Sequence, residues 1–255
     1  MKQVILVTSF GTSYFDTLEK NIVAIEREVA DKFPGYDIAR AFTSEIIRAK
    51  LKKRDNIEID NVQTALERFT REGYSKAIIQ PTLIINGLEY EKKILAAVEK
   101  YKDKFDYLKI GTPLLTETED YTRVSKALEK AYGNEEIMIF VGHGTPHHSD
   151  AAYAALDYHF KANGLPNFFV GALGGYPDMD TVYNSVKRFS GKKVTLAPLM
   201  LVAGDHAVND ITGDEDSWKT FFESKDYSVS CRLSGLGELS EIRSIYCDHI
   251  TSILK

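Results

Sequence analysis

Short apolar runs alternate along this chain with longer stretches whose apolar residues recur at helical spacing. The runs cover residues 4–7, 77–85, 137–141 and 194–202. Between them, Leu18, Ile22, Ile25, Val29 and Phe33 fall on one helix face. So do Val62, Leu66 and Phe69, and later Ile242, Ile245, Tyr246, Ile250 and Ile253. The second of these helices is expected to start at Asp60 or Asn61 and to stop at Gly73. A continuous apolar run, as opposed to an alternating one, marks a strand buried on both faces. Such runs separated by helices predict βαβ units and parallel sheets covered on both sides.

The same series occurs twice. Ile5-Leu6-Val7-Thr8-Ser9-Phe10-Gly11-Thr12 can be laid over Met138-Ile139-Phe140-Val141-Gly142-His143-Gly144-Thr145. Ile38 to Phe42 falls on Phe169 to Leu173, Ile79 to Leu83 on Leu196 to Met200, and Lys109 to Glu117 on Ser230 to Glu238. Each half then offers four strands in the same order. The expected class is α/β, with two similar Rossmann-like lobes, each a parallel four-stranded sheet with flanking helices. The lobes are expected to span 1–117 and 118–255. No Pro/Gly/Ser-rich linker marks the join near residues 115–120.

Open parallel sheets bind ligands beyond the carboxyl ends of their strands. There the second half carries Gly142-His143-Gly144 and Gly204-Asp205-His206, and the first half Asn86-Gly87-Leu88-Glu89. In the overlay Glu89 falls on His206, and Phe10 on His143. Two imidazoles and a carboxylate suit a divalent first-row metal with open coordination positions. The glycines beside His143 lack a Cβ, so a flat ligand is expected to approach the backbone there. Histidine also titrates near neutral pH, which fits proton transfer. Plainer readings stand beside these. His143 and His206 can be hydrogen-bonded structural residues, and Glu89 a first-turn helix carboxylate. His147 and His148 can shape a helix start, and His159 and His249 read as packing or surface residues. Asp210, Asp214, Glu215 and Asp216 read as a solvated loop, with Asp216 or Ser217 capping a helix over 218–223. No P-loop, dinucleotide fingerprint, nucleophile elbow or C-x-x-C pair is present. No nucleotide or organic cofactor is therefore expected.

Composition narrows the partners. The 255 residues are 44% apolar and 27% charged, with a formal net charge of −5, which disfavours a nucleic-acid partner. No apolar run approaches the ~20 residues of a membrane span. Thr8-Ser9 interrupts the first run too early for a signal peptide. Cys231 and Cys247 make no disulfide framework, so a reducing cytoplasm is the expected setting. Oligomeric state is left open.

Several segments closely resemble one family. They are Leu6 to Ser13, Arg40 to Ser44, Ile84 to Glu91, Gly142-His143-Gly144, Pro198 to Ala207 and Leu233 to Glu238. Together they resemble the anaerobic sirohydrochlorin cobaltochelatases of the CbiK type, and the Pro198–Ala207 block is the specific part. The resemblance implies a chelatase fold with two α/β lobes around a cleft. It implies insertion of a divalent metal substrate, Co2+, into sirohydrochlorin or precorrin-2. It puts His143, His206 and Glu89 at the metal; for the departing pyrrole protons His143 is the candidate base, with Glu89 assisting. Ser9, Phe10, Thr12, Ser13, Thr43 and Ser44, with Arg40 and Arg54, are candidates to contact the tetrapyrrole. Fe2+ or Ni2+ insertion, a non-catalytic tetrapyrrole or metal carrier, and a zinc hydrolase remain as alternatives.

Overall fold

The structure, a computed structural model, describes residues 2–133, 136–204 and 207–254. Its strands are β1 (Lys2–Ser9), β2 (Asp37–Phe42), β3 (Tyr74–Pro81), β4 (Tyr107–Ile110), β5 (Ile137–Gly142), β6 (Phe168–Ala172), β7 (Lys193–Pro198) and β8 (Ser228–Cys231). They form two parallel four-stranded sheets, ordered β2-β1-β3-β4 and β6-β5-β7-β8. The central strands behave as their apolar runs require. Val4 through Ser9 and all of β5 are buried. Helices cover the sheets through their apolar stripes. Val62, Leu66 and Phe69 pack with Val4, Leu6 and Ile79 in the first half. In the second, Trp218 and Phe222 pack with Ile139, Val141 and Leu196.

Helix starts follow side-chain chemistry. Asn61 accepts from the Thr64 N–H at 2.8 Å while the Thr64 hydroxyl accepts from Asn61 N–H at 2.9 Å, so of the two expected starts, Asp60 and Asn61, it is Asn61 that begins Val62–Arg71. Ser217, the second of the two residues expected to do so, caps Trp218–Glu223 in the same way with Thr220. The helix face expected over 18–33 is realised in pieces: Phe15–Thr17, a wide π-helical turn Leu18–Val23, and Ala24–Lys32.

By their internal contacts the residues form two units. One is Met1–Thr116 with Ile242–Lys255, the other Glu117–Glu241. The division by sequence, 118–255, had kept the last helix (Ser240–Leu254) with the second half. Most of that helix instead belongs to the first unit, for reasons visible in its side chains. Tyr246 donates its hydroxyl to Leu83 O at 3.1 Å, Arg243 pairs with Glu28 at 2.7 Å, and Lys32 with Asp248 at 2.6 Å.

The repeat is physical as well as verbal. Pro81 stands opposite Thr8 and Pro198 opposite Val141, and each is the last residue of its strand. The strands thus stop short of the apolar runs 77–85 and 194–202. Beyond them, matching bonds recur. Thr43 N–H donates to Ser9 O and Leu173 N–H to Gly142 O, each at 2.9 Å, and Thr82 N–H to Thr8 O and Leu199 N–H to Val141 O, each at 2.8 Å. One stretch of the sequence overlay is a residue out. The ladders pair Ser9 with Phe42 and Gly142 with Ala172, so Phe42 corresponds to Ala172, not Leu173. Both strands are sheet edges.

Candidate functional site

At the carboxyl end of β5, His143 is exposed, and its Nδ1 lies 3.2 Å from Gly144 O. In the tautomer that donates from Nδ1, Nε2 carries the lone pair needed by a metal or a proton. The His143 carbonyl accepts from Gly174 N–H at 3.0 Å, as the Phe10 carbonyl accepts from Ser44 N–H at 3.2 Å. Gly144 has φ +76, and a Cβ there would lie 2.8 Å from the Gly174 carbonyl carbon. At Gly142 a Cβ would meet the Tyr153 ring at 2.5 Å. The room these glycines leave is therefore taken by the protein itself. They let two loops and a tyrosine close under His143, where the sequence reading had given that space to a flat ligand.

Asp150 locks this corner. One carboxylate oxygen accepts from Thr145 N–H at 3.0 Å and the other from Tyr176 N–H at 2.5 Å, tying the loop after β5 to the loop after β6. Sequence reasoning missed it, because an acid just before the helix Ala151–Ala162 reads as a cap; its side chain makes no cap bond. Tyr153, buried beneath, has its phenol pushed up to about 12 by burial, with the Gly144 backbone bond working in the opposite direction. His147 does shape a start. It caps the short turn His148–Asp150, with Ser149 N–H 3.3 Å from its Nδ1. His159 stacks on Tyr121, and His249 is buried with Nδ1 3.1 Å from Thr112 O.

In the first unit Glu89 stands at the start of a second π-helical turn, Tyr90–Leu95. Such turns are frequent at functional sites. A third, Ala207–Ile211, follows the β7 end. Glu89 Oε1 lies 3.6 Å from Lys93 Nζ, one helical turn on. Glu89 Oε2 is buried with no hydrogen-bond partner among the described residues. The carboxylate's charge is thus met by Lys93 at Oε1, while Oε2 is left without a donor among those residues. His206, with Asp205, lies outside the described residues. Among the described residues, no three His, Cys, Asp or Glu side chains are grouped to hold a metal.

The tetrapyrrole candidates cluster at the ends of β1 and β2. Phe10 is 39% exposed, whereas Ser9, Thr12, Ser13, Thr43 and Ser44 are buried. Thr12 Oγ1 accepts from Tyr14 N–H at 3.2 Å, and Ser44 Oγ from Ile47 N–H at 3.3 Å as the cap of the helix Glu45–Asp55. The Ser9 and Thr43 hydroxyls have no partner among the described residues. Both arginines are engaged. Arg40 pairs with Glu26 through two bonds, and Arg54 bonds Asp55 and Ser13 O.

Two parallel four-stranded sheets with flanking helices, joined in the same strand order, make a chelatase-like fold. SirB from Bacillus subtilis, solved with Fe3+, shares the fold: TM-score 0.65 at 12% identity, over 99% of this chain and 95% of that one. The cobalt chelatase (CbiK) family matches residues 3–255, and the chain belongs to that family. It is 44% identical to a sirohydrochlorin cobaltochelatase of Salmonella typhimurium, over 100% of this chain and 97% of the relative. It is 31% identical to the sirohydrochlorin cobaltochelatase CbiKC of Nitratidesulfovibrio vulgaris, over 98% of this chain and 90% of the relative.

Proposed function

We propose that this protein inserts Co2+ into sirohydrochlorin. The observation that carries the activity is end-to-end similarity to two relatives that both bear the name sirohydrochlorin cobaltochelatase. Insertion exchanges two pyrrole N–H protons for one divalent ion, so it needs a metal seat and a proton acceptor but no redox partner. Glu89, His143 and His206 form the seat. Glu89 supports this role as a partly exposed carboxylate at the strand end with one oxygen, Oε2, free of hydrogen bonds among the described residues. His206 supports it by position, as far beyond Pro198 as Glu89 is beyond Pro81. Once the ion has left it, His143 Nε2 accepts one of the two pyrrole protons, with its ring set by the Gly144 carbonyl, and the Glu89 carboxylate takes the other. Phe10 offers an exposed apolar face to the macrocycle. Bending the macrocycle exposes its nitrogen lone pairs, and binding energy from its carboxylate arms offsets the strain. Fe2+ and Ni2+ can occupy the same kind of seat, because first-row affinities follow a general order at any such site. Among the described residues no helix is long and apolar enough to cross a membrane.

The test is turnover of sirohydrochlorin with Co2+, followed by its visible spectrum, in parallel with Fe2+ and Ni2+. His143→Ala, His206→Ala and Glu89→Gln are expected to slow insertion about 10²–10⁴-fold while far-UV circular dichroism stays unchanged. Near-wild-type rates in all three would remove the site assignment. Absence of turnover in the wild type would remove the activity.

A further inference from the structure

A groove of about 370 Å³ opens within the first unit beside β2 and the helix that follows Glu89. Its charged lining is Arg48, Lys92, Lys93 and Glu45, so cations predominate. The starts of two helices of full length, Glu45–Asp55 and Val62–Arg71, meet at it through Glu45 and Asn61, each adding a partial positive charge. The cations are under-used. Lys92 has no hydrogen-bond or ion-pair partner among the described residues. Arg48 spends only Nε, on Ile59 O at 2.8 Å. Thr43, also on the wall, is 2% exposed, and its Oγ1 is buried without a partner among the described residues. Lys93 joins the groove to the proposed metal seat. Its Nζ lies 3.1 Å from Thr43 O and 3.6 Å from Glu89 Oε1.

A cavity with unspent guanidinium and ammonium donors, next to a carboxylate proposed to hold metal, suits an anion carried by the molecule being metallated. Resting on the cobaltochelatase reading, we propose that this groove seats a peripheral carboxylate arm of the tetrapyrrole. The guanidinium face of Arg48 and the Lys92 ammonium take its oxygens. Lys93, on the boundary, sets the distance between that arm and the metal. None of the three was among the sequence candidates, and Arg40 and Arg54, which were, are already paired.

The experiment compares wild type with Lys92→Glu and with Arg48→Gln/Lys92→Gln. It measures steady-state insertion and fluorescence-quench binding of metal-free sirohydrochlorin. KM and Kd for sirohydrochlorin are expected to rise at least about tenfold, consistent with the loss of one charged hydrogen bond, while KM for Co2+ stays at the wild-type value. Inorganic phosphate is expected to compete with sirohydrochlorin in the wild type and to lose that effect in Lys92→Glu. Unchanged macrocycle KM and Kd in Lys92→Glu, an exposed position with no partner to lose, overturn the groove assignment. So does an equal rise in KM for Co2+. Wild-type turnover keeps the two questions separate: a wild type that inserts metal alongside a variant with unaltered binding removes the groove and leaves the activity standing.

Discussion

Residue identity at the His143 corner is decided by close approach. Gly142 makes room for the Tyr153 ring, and the positive φ of Gly144 turns the chain against Gly174. Tyr153 gives this corner a signature in pH. Its folded phenol titrates at about 12, against about 10 in an unfolded chain. A group with its folded pKa raised contributes stability that is complete below the unfolded value and is lost as pH climbs through the folded one. Wild-type stability is therefore expected to fall between pH ~10 and ~12 by an increment of order 2 kcal/mol from this residue. Tyr153→Phe should flatten that part of the curve, read as urea midpoints across alkaline pH. An identical alkaline slope in the variant would mean that the phenol is not the group involved.

Between elements, one carboxylate holds two loops. Asp150 takes an N–H from the segment after β5 and another from the segment after β6. Asp150→Ala leaves both donors without that partner and is expected to cost about 1–3 kcal/mol, with Asp150→Asn recovering part of it through its remaining acceptor. Urea denaturation measures the cost. Insertion is expected to slow in Asp150→Ala if His143 acts as proposed, and wild-type stability in that variant would contradict the strap. Strap and strand ends were unequally legible. The apolar runs named β1, β3, β5 and β7, but two of the strands stop at Pro81 and Pro198, short of the ends of their runs, because an apolar run records burial and not strand pairing.

For the molecule as a whole, the last helix decides where the first unit ends. Ile242, Ile245, Tyr246 and Ile250 are all buried, and full burial of such side chains is worth about 1.5–3 kcal/mol each. Their sum is comparable with the ~5–15 kcal/mol by which a domain is stable. A chain ending at Glu241 is expected to lose cooperative unfolding of its first unit, seen by hydrogen exchange over β1 and β3. Native-like protection of those strands would show the helix to be dispensable.

The sequence alone determined the alternation of strand and helix, the doubling of the chain and the family, because periodicity, order and motif spacing are local properties of a string. It could also narrow two helix starts to neighbouring pairs, Asp60 or Asn61 and Asp216 or Ser217, since a cap bonds only a few residues away. Tertiary structure alone decided the hold of Asp150 on Tyr176, the pairing that consumes Arg40 and Arg54, the groove around Arg48 and Lys92, and the unit to which the last helix belongs. Each of those depends on which distant donors and acceptors a side chain meets, and burial and charge pairing are set by the folded chain as a body.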